Sequence, residues 1–190
     1  MPRSILLLGA VLLVAGLMRV VTLGDEPETI AYMGMKGCIC HKAKRYGNQV
    51  KHWKEKDPHS KAYESLRTDE SKAVAARMGI TDPLIDERCT KCHATAAGVS
   101  EDMRGSLTLE DGVTCESCHG PGSKYCKKKI MSDREQAVAN GLRLLKDSEE
   151  RTKVCGDCHN ENVPKEFYKK RDFVKDWEPF RHMLPAPKAE

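Results

Sequence analysis

Three stretches of this chain read C-x-x-C-H: Cys89-Thr90-Lys91-Cys92-His93, Cys115-Glu116-Ser117-Cys118-His119 and Cys155-Gly156-Asp157-Cys158-His159. No other feature constrains the fold as strongly. In a c-type haem attachment motif the two thiols add to the vinyl groups of one haem, and the adjacent histidine is set under the iron as proximal ligand. One turn of chain must present both sulfurs to one edge of the ring while the imidazole meets its centre. Zinc ribbons and thioredoxin-like pairs also use C-x-x-C. Neither requires a histidine after every second cysteine, and a redox pair normally comes once. With seven histidines in 190 residues, three such placements by chance are improbable.

A fourth stretch, Cys38-Ile39-Cys40-His41, has one residue between its cysteines instead of two. Cys40-His41 keeps the spacing for one thioether and a proximal ligand. Cys38 either reaches the second vinyl group or is a spare thiol, and a spare Cys38 could pair with the leftover Cys126 in a disulfide. The chain thus reads as binding four haem c groups through Cys38, Cys40, Cys89, Cys92, Cys115, Cys118, Cys155 and Cys158. Its composition suits a core filled by cofactor: 5% aromatic, 32% charged, mean hydropathy −0.57. So polar a chain buries too little side chain to offset its ordering entropy unaided. The expected fold is mostly α and loop-rich, with stacked haems as its core and an N-terminal hydrophobic helix ahead of it.

The formal charge of +4 comes without a basic run interleaved with aromatics, so no nucleic-acid partner is expected. Two propionates per haem would make the holoprotein net acidic. The run Lys127 to Lys129 reads as a solvated face or a partner for propionates.

Arg3 precedes an unbroken apolar run from Ile5 to Met18, followed by Arg19, Val20 to Gly24 and the acidic Asp25, Glu26 and Glu28. This reads as a Sec-type export segment whose basic end stays inside. No A-x-A site closes the run. If Arg19 snorkels, residues 5–23 approach the ~20 a spanning helix needs. The favoured expectation is a retained membrane anchor, the alternative a cleaved signal. Both divide the chain into a signal or anchor (1–24) and one haem domain (25–190), in the periplasm or on the extracytoplasmic face of the membrane.

Four stretches resemble the tetrahaem cytochrome c-554 family: Tyr32-Met33-Gly34 to Cys40-His41; Trp53 to His59-Ser60-Lys61-Ala62-Tyr63; Cys89 to Thr95; and Asp111-Gly112-Val113-Thr114-Cys115 through Gly120-Pro121-Gly122-Ser123. The resemblance runs from about Tyr32 to Pro185. It implies His41, His93, His119 and His159 as proximal iron ligands, and His59 and His182 as distal ones. The chain departs from the pattern in its shortened first motif, and in having Tyr125-Cys126 where many relatives carry a distal histidine.

With four histidines proximal, only His52, His59 and His182 remain, so one chain completes at most three bis-histidine haems. The leftover haem takes Met131 or Cys126, both of which follow the third motif, a ligand from another subunit of an oligomer, or nothing. The leading functional reading is electron transfer between other cytochromes or redox enzymes, without catalysis. The alternatives are an enzyme acting on a small nitrogen or sulfur species at an open haem, an extracellular filament subunit, and a membrane quinol dehydrogenase. No acid–base constellation stands out.

Between the motifs, Thr68 or Asp69 caps a helix over 71–78 ending at Gly79. Ser132 to Glu135 reads as a capping box for a helix ending near Gly141, and 172–178 as a short helix stopped by Pro179. No strand pairs are expected. The shortest interval between proximal histidines, His93 to His119, should mark the closest haem pair.

Overall fold

The computed structural model describes residues 29–37 and 39–176. The hydrophobic segment 1–24, Cys38, His182 and Pro185 lie outside these residues. Among the described residues, no helix is long and apolar enough to cross a membrane.

The described chain is helical and loop-rich, without strands. Its helices are α1 (Gly34–Gly37), α2 (Gln49–Lys56), α3 (Asp69–Arg77), α4 (Glu87–His93), α5 (Glu101–Arg104), α6 (Cys115–His119), α7 (Lys128–Met131), α8 (Arg134–Ala139) and α9 (Ser148–Gly156). The longest have 9 residues, well short of what holds together alone in water. Caps and tertiary contacts must hold them. Asp86, Asp133 and Asp147 accept backbone N–H groups in the first turns of α4, α8 and α9.

α3 starts where the sequence places it, with the Thr68 hydroxyl accepting from Ser71 N at 3.2 Å, and ends just before Gly79 at φ +65°. The cap of α8 differs from expectation. Asp133, not Ser132, accepts from Glu135 N and Gln136 N, because the Ser132 hydroxyl donates back to Lys128 O, in the first residue of α7. Residues 173–176 form a turn, closed by Asp176 N donating to Asp172 O at 2.8 Å, and the end of the expected 172–178 helix lies outside the described residues. Asp172 Oδ1 accepts from Val174 N and Lys175 N, which holds the turn tight.

The side-chain core is fragmentary. Tyr63, Leu66 and Ala94 form a buried cluster, with Leu84, Cys89, Ala97 and Leu109 packed against it. Four of the eleven buried apolar residues among those described are alanines. The Tyr63 hydroxyl donates to Leu84 O at 3.1 Å. Residues 31–34 cross onto the third motif: Ala31 N donates to the Ser123 hydroxyl and Ser123 N to Ala31 O. Met33 N and Gly34 N both donate to the Glu116 carboxylate.

Candidate functional site

In the helical register, the cysteines of C-x-x-C-H stand at i and i+3 and the histidine at i+4, which puts all three on one face. α4 carries Cys89, Cys92 and His93, and α6 carries Cys115, Cys118 and His119. The fourth motif begins at the end of α9. There Cys158 N and His159 N both donate to Cys155 O, so the register continues past the helix end. Cys40 and His41 lie in a 3₁₀ turn, Ile39–Lys42.

The second nitrogen of each imidazole fixes its tautomer. His93 Nδ1 is 2.6 Å from Ala62 O, and His119 Nδ1 is 2.7 Å from Arg143 O. A carbonyl can only accept, so both rings carry their proton on Nδ1 and keep the Nε2 lone pair for a metal. His41 Nδ1 lies 3.1 Å from Gln49 Oε1, and the Gln49 amide donates to Tyr46 O, which orients the glutamine oxygen toward the ring. Desolvation holds His119 below the usual imidazole range, in the neutral form that ligates metals. Burial pushes the Cys118 thiol up to about 11 and raises Cys155 and Cys89.

His59 sits on a 3₁₀ turn, Pro58–Lys61, whose N-cap is Asp57. Asp57 Oδ1 accepts from His59 N at 3.0 Å and lies 2.7 Å from His59 Nδ1. The arrangement is a carboxylate–histidine pair of the kind that orients a metal-binding imidazole. The His59 and His159 ring centres are 6.0 Å apart at an interplanar angle of 78°. Two imidazoles on opposite sides of one metal ion, with metal–nitrogen bonds of about 2 Å, have centres about 6 Å apart. The spacing of the two rings matches that separation.

The motifs converge. The Cys92 and Cys158 thiols share a hydrogen bond that lowers Cys92 to about 7 and raises Cys158. The Thr95 and Ser117 hydroxyls are 2.6 Å apart. The second motif thus touches the third through hydroxyls but meets the fourth through its sulfurs. Sequence interval alone pointed only to the second and third. Among the described residues, no three His, Cys, Asp or Glu side chains gather as a structural zinc site requires. Paired thiols with one-sided imidazoles fit covalent haem instead.

Comparison with known proteins agrees. The family model described as cytochrome c554 and c-prime matches residues 38–120. Segment 38–120 is thus similar to the cytochrome c-554 family. A cytochrome c-554 from Nitrosomonas europaea is 36% identical over 124 residues, 60% of this chain and 48% of that protein. The chain thus spans about half the length of this cytochrome c-554 relative. A chaperone protein DnaJ from Erysipelothrix rhusiopathiae is 26% identical over 95 residues, half of this chain and 23% of the chaperone. No solved structure matches. A likeness to this family points to covalently attached haem c. The fourth motif lies beyond the segment that the cytochrome c-554 family model matches.

The structure gives physical roles to residues that the cytochrome c-554 resemblance only names. The Trp53 indole donates to Val113 O at 3.1 Å, which ties the end of α2 to the loop before the third motif. Ala62 supplies the carbonyl for His93. Sequence reasoning missed Asp57, whose signal was legible as an Asp-Pro helix start just before a histidine. It also missed Glu116 and the Arg143 carbonyl, which no local pattern marks. His52 is half-buried on α2, and Met131 and Cys126 are half-buried beyond the third motif.

Proposed function

We propose that this protein is a four-haem c-type cytochrome that passes single electrons between redox partners outside the cytoplasm. The observation that supports the reading is the set of motif histidines, His41, His93 and His119, whose Nδ1 is held by a carbonyl or amide oxygen, the tautomer that puts the lone pair on Nε2. His41, His93, His119 and His159 are the proximal ligands, and His59 is the distal partner of His159. When bound, haem c supplies one-electron exchange at its iron. The chain's own residues set each site. Asp57 holds the His59 ring and raises its basicity, and the Ala62 and Arg143 carbonyls do the same for His93 and His119. The apolar run after Arg3 supports export, with residues 5–23 as the proposed anchor. N-terminal sequencing of the purified protein tests retention.

Intact mass should exceed that of the polypeptide by four haems, and a gain of three would empty the Cys40–His41 site. His59→Ala should convert one haem, that of His159, from low-spin to high-spin, as read by paramagnetic resonance. Asp57→Asn should keep that haem low-spin while raising its midpoint potential relative to the others. With seven histidines in the chain, an isolated monomer should show at most three bis-histidine haems. Four bis-imidazole signals would overturn this ligand inventory, in which Met131, Cys126, His52 and His182 compete for the remaining positions.

A further inference from the structure

Charge in this protein is concentrated at one place. Residues 36–56 hold seven cations and one anion, while the rest of the chain holds 25 cations and 27 anions. The whole formal surplus of +4 therefore comes from this stretch. Lys51 pairs with Glu55 at 3.9 Å. The other six, Lys36, Lys42, Lys44, Arg45, Lys54 and Lys56, are exposed and form no ion pair among the described residues. They sit on α1, on the turns Ile39–Lys42 and Lys44–Tyr46, and on α2. α2 packs against the first of these turns, and the Gln49–His41 hydrogen bond fastens the two together. Beside Cys40, which is itself exposed, Ile39 leaves 65% of its surface in solvent.

We propose that this basic face around the first haem motif is the docking surface for a strongly acidic redox protein. The proposal rests on the electron-transfer reading above. Redox encounters use small interfaces, and charge complementarity sets their rate more than contact area does. An exposed apolar residue next to a thioether cysteine, on turns and helices that carry six exposed cations, suits such an encounter because a seated partner lies beside the first haem. The two propionates of that haem would offset only two of the six free cations. An anionic bilayer would use the charge and the exposed Ile39, but has no use for a haem attached beside them at Cys40.

The test uses the holoprotein and an acidic flavodoxin as probe. Flavodoxin hydroquinone gives one electron to ferric haem, and stopped-flow absorbance reads the rate. At low ionic strength Lys42→Glu/Lys44→Glu/Arg45→Glu should slow this reaction about tenfold or more and flatten its salt dependence. Lys127→Glu/Lys128→Glu/Lys129→Glu, with the same change in net charge, should slow it less than about threefold. Equal losses in the two variants would assign the effect to net charge and overturn the proposal. So would an unchanged rate in the first variant, or an unchanged rate with wild-type protein, but not the variant, sedimenting on phosphatidylglycerol vesicles. Dithionite should reduce the haems of every variant. Haems that it cannot reduce would overturn the electron-transfer reading itself, separately from the docking face.

Discussion

Prevented from receiving haem, by replacing both cysteines of each intact motif with alanine, the chain should lose cooperative folding altogether. The packing described above predicts this. Burying a large apolar side chain is worth roughly 1.5–3 kcal/mol, and alanine far less. Of the eleven buried apolar residues among those described, four are alanines, and only Tyr63, Leu66 and Ala94 make a mutual cluster. Thr90 is the largest side chain that is fully enclosed. Against this stands an ordering cost of about 1–2 kcal/mol for every residue of backbone. The helices cannot make up the difference, since none of those described exceeds 9 residues. Far-UV circular dichroism in urea should give a shallow, featureless decline, and amide exchange should show no protected set. A sigmoidal transition with the slope of a folded domain of this size would show that the side chains suffice alone. Removing only Cys155 and Cys158 should leave a cooperative but weakened transition, because the second and third motifs remain joined through Thr95 and Ser117.

The cofactor chemistry was legible in the sequence because C-x-x-C-H is a local pattern. Its i, i+3, i+4 spacing is a helical face whatever surrounds it, and α4 and α6 present it that way. The helical class and the cap of α3 were legible for the same reason, since Thr68 and Gly79 act on their immediate neighbours. Where two polar residues compete for one role, local reading fails. At the start of α8, Ser132 was already engaged with the preceding turn, and Asp133 took the cap. The long-range arrangement was not legible at all. Nothing in sequence intervals says that Cys92 meets Cys158, or that the His59 and His159 rings come within 6.0 Å. Those contacts are set by how the loops fold back, and a count of histidines gives the number of ligands without their pairing.

Replacing Glu116 with alanine should destabilise the holoprotein by about 3–6 kcal/mol, the largest loss expected from any single side chain that binds no haem. Glu116 sits between the two cysteines of the third motif, yet it is 3% exposed. Its Oε1 accepts from Met33 N at 2.8 Å and Gly122 N at 2.7 Å, and its Oε2 from Gly34 N at 2.8 Å. One carboxylate thus joins the incoming segment 31–34, the third motif and the Gly-Pro-Gly turn after it. Gly122 has no room for a side chain there, because a Cβ would sit 3.0 Å from Oε1. Alanine would leave two buried N–H groups and one half-buried one without an acceptor, at about 1–3 kcal/mol each before any water enters. Glu116→Gln separates charge from shape. Its amide oxygen can take the Oε1 position and keep Met33 and Gly122, but its NH₂ then faces the Gly34 N–H, donor against donor. The glutamine variant should therefore lose about half as much as the alanine one, with the haem count unchanged in both. Urea unfolding followed at the haem absorbance measures the series. A shift of less than about 0.5 kcal/mol for alanine would mean that the three N–H groups find water and that the carboxylate does not hold the strap.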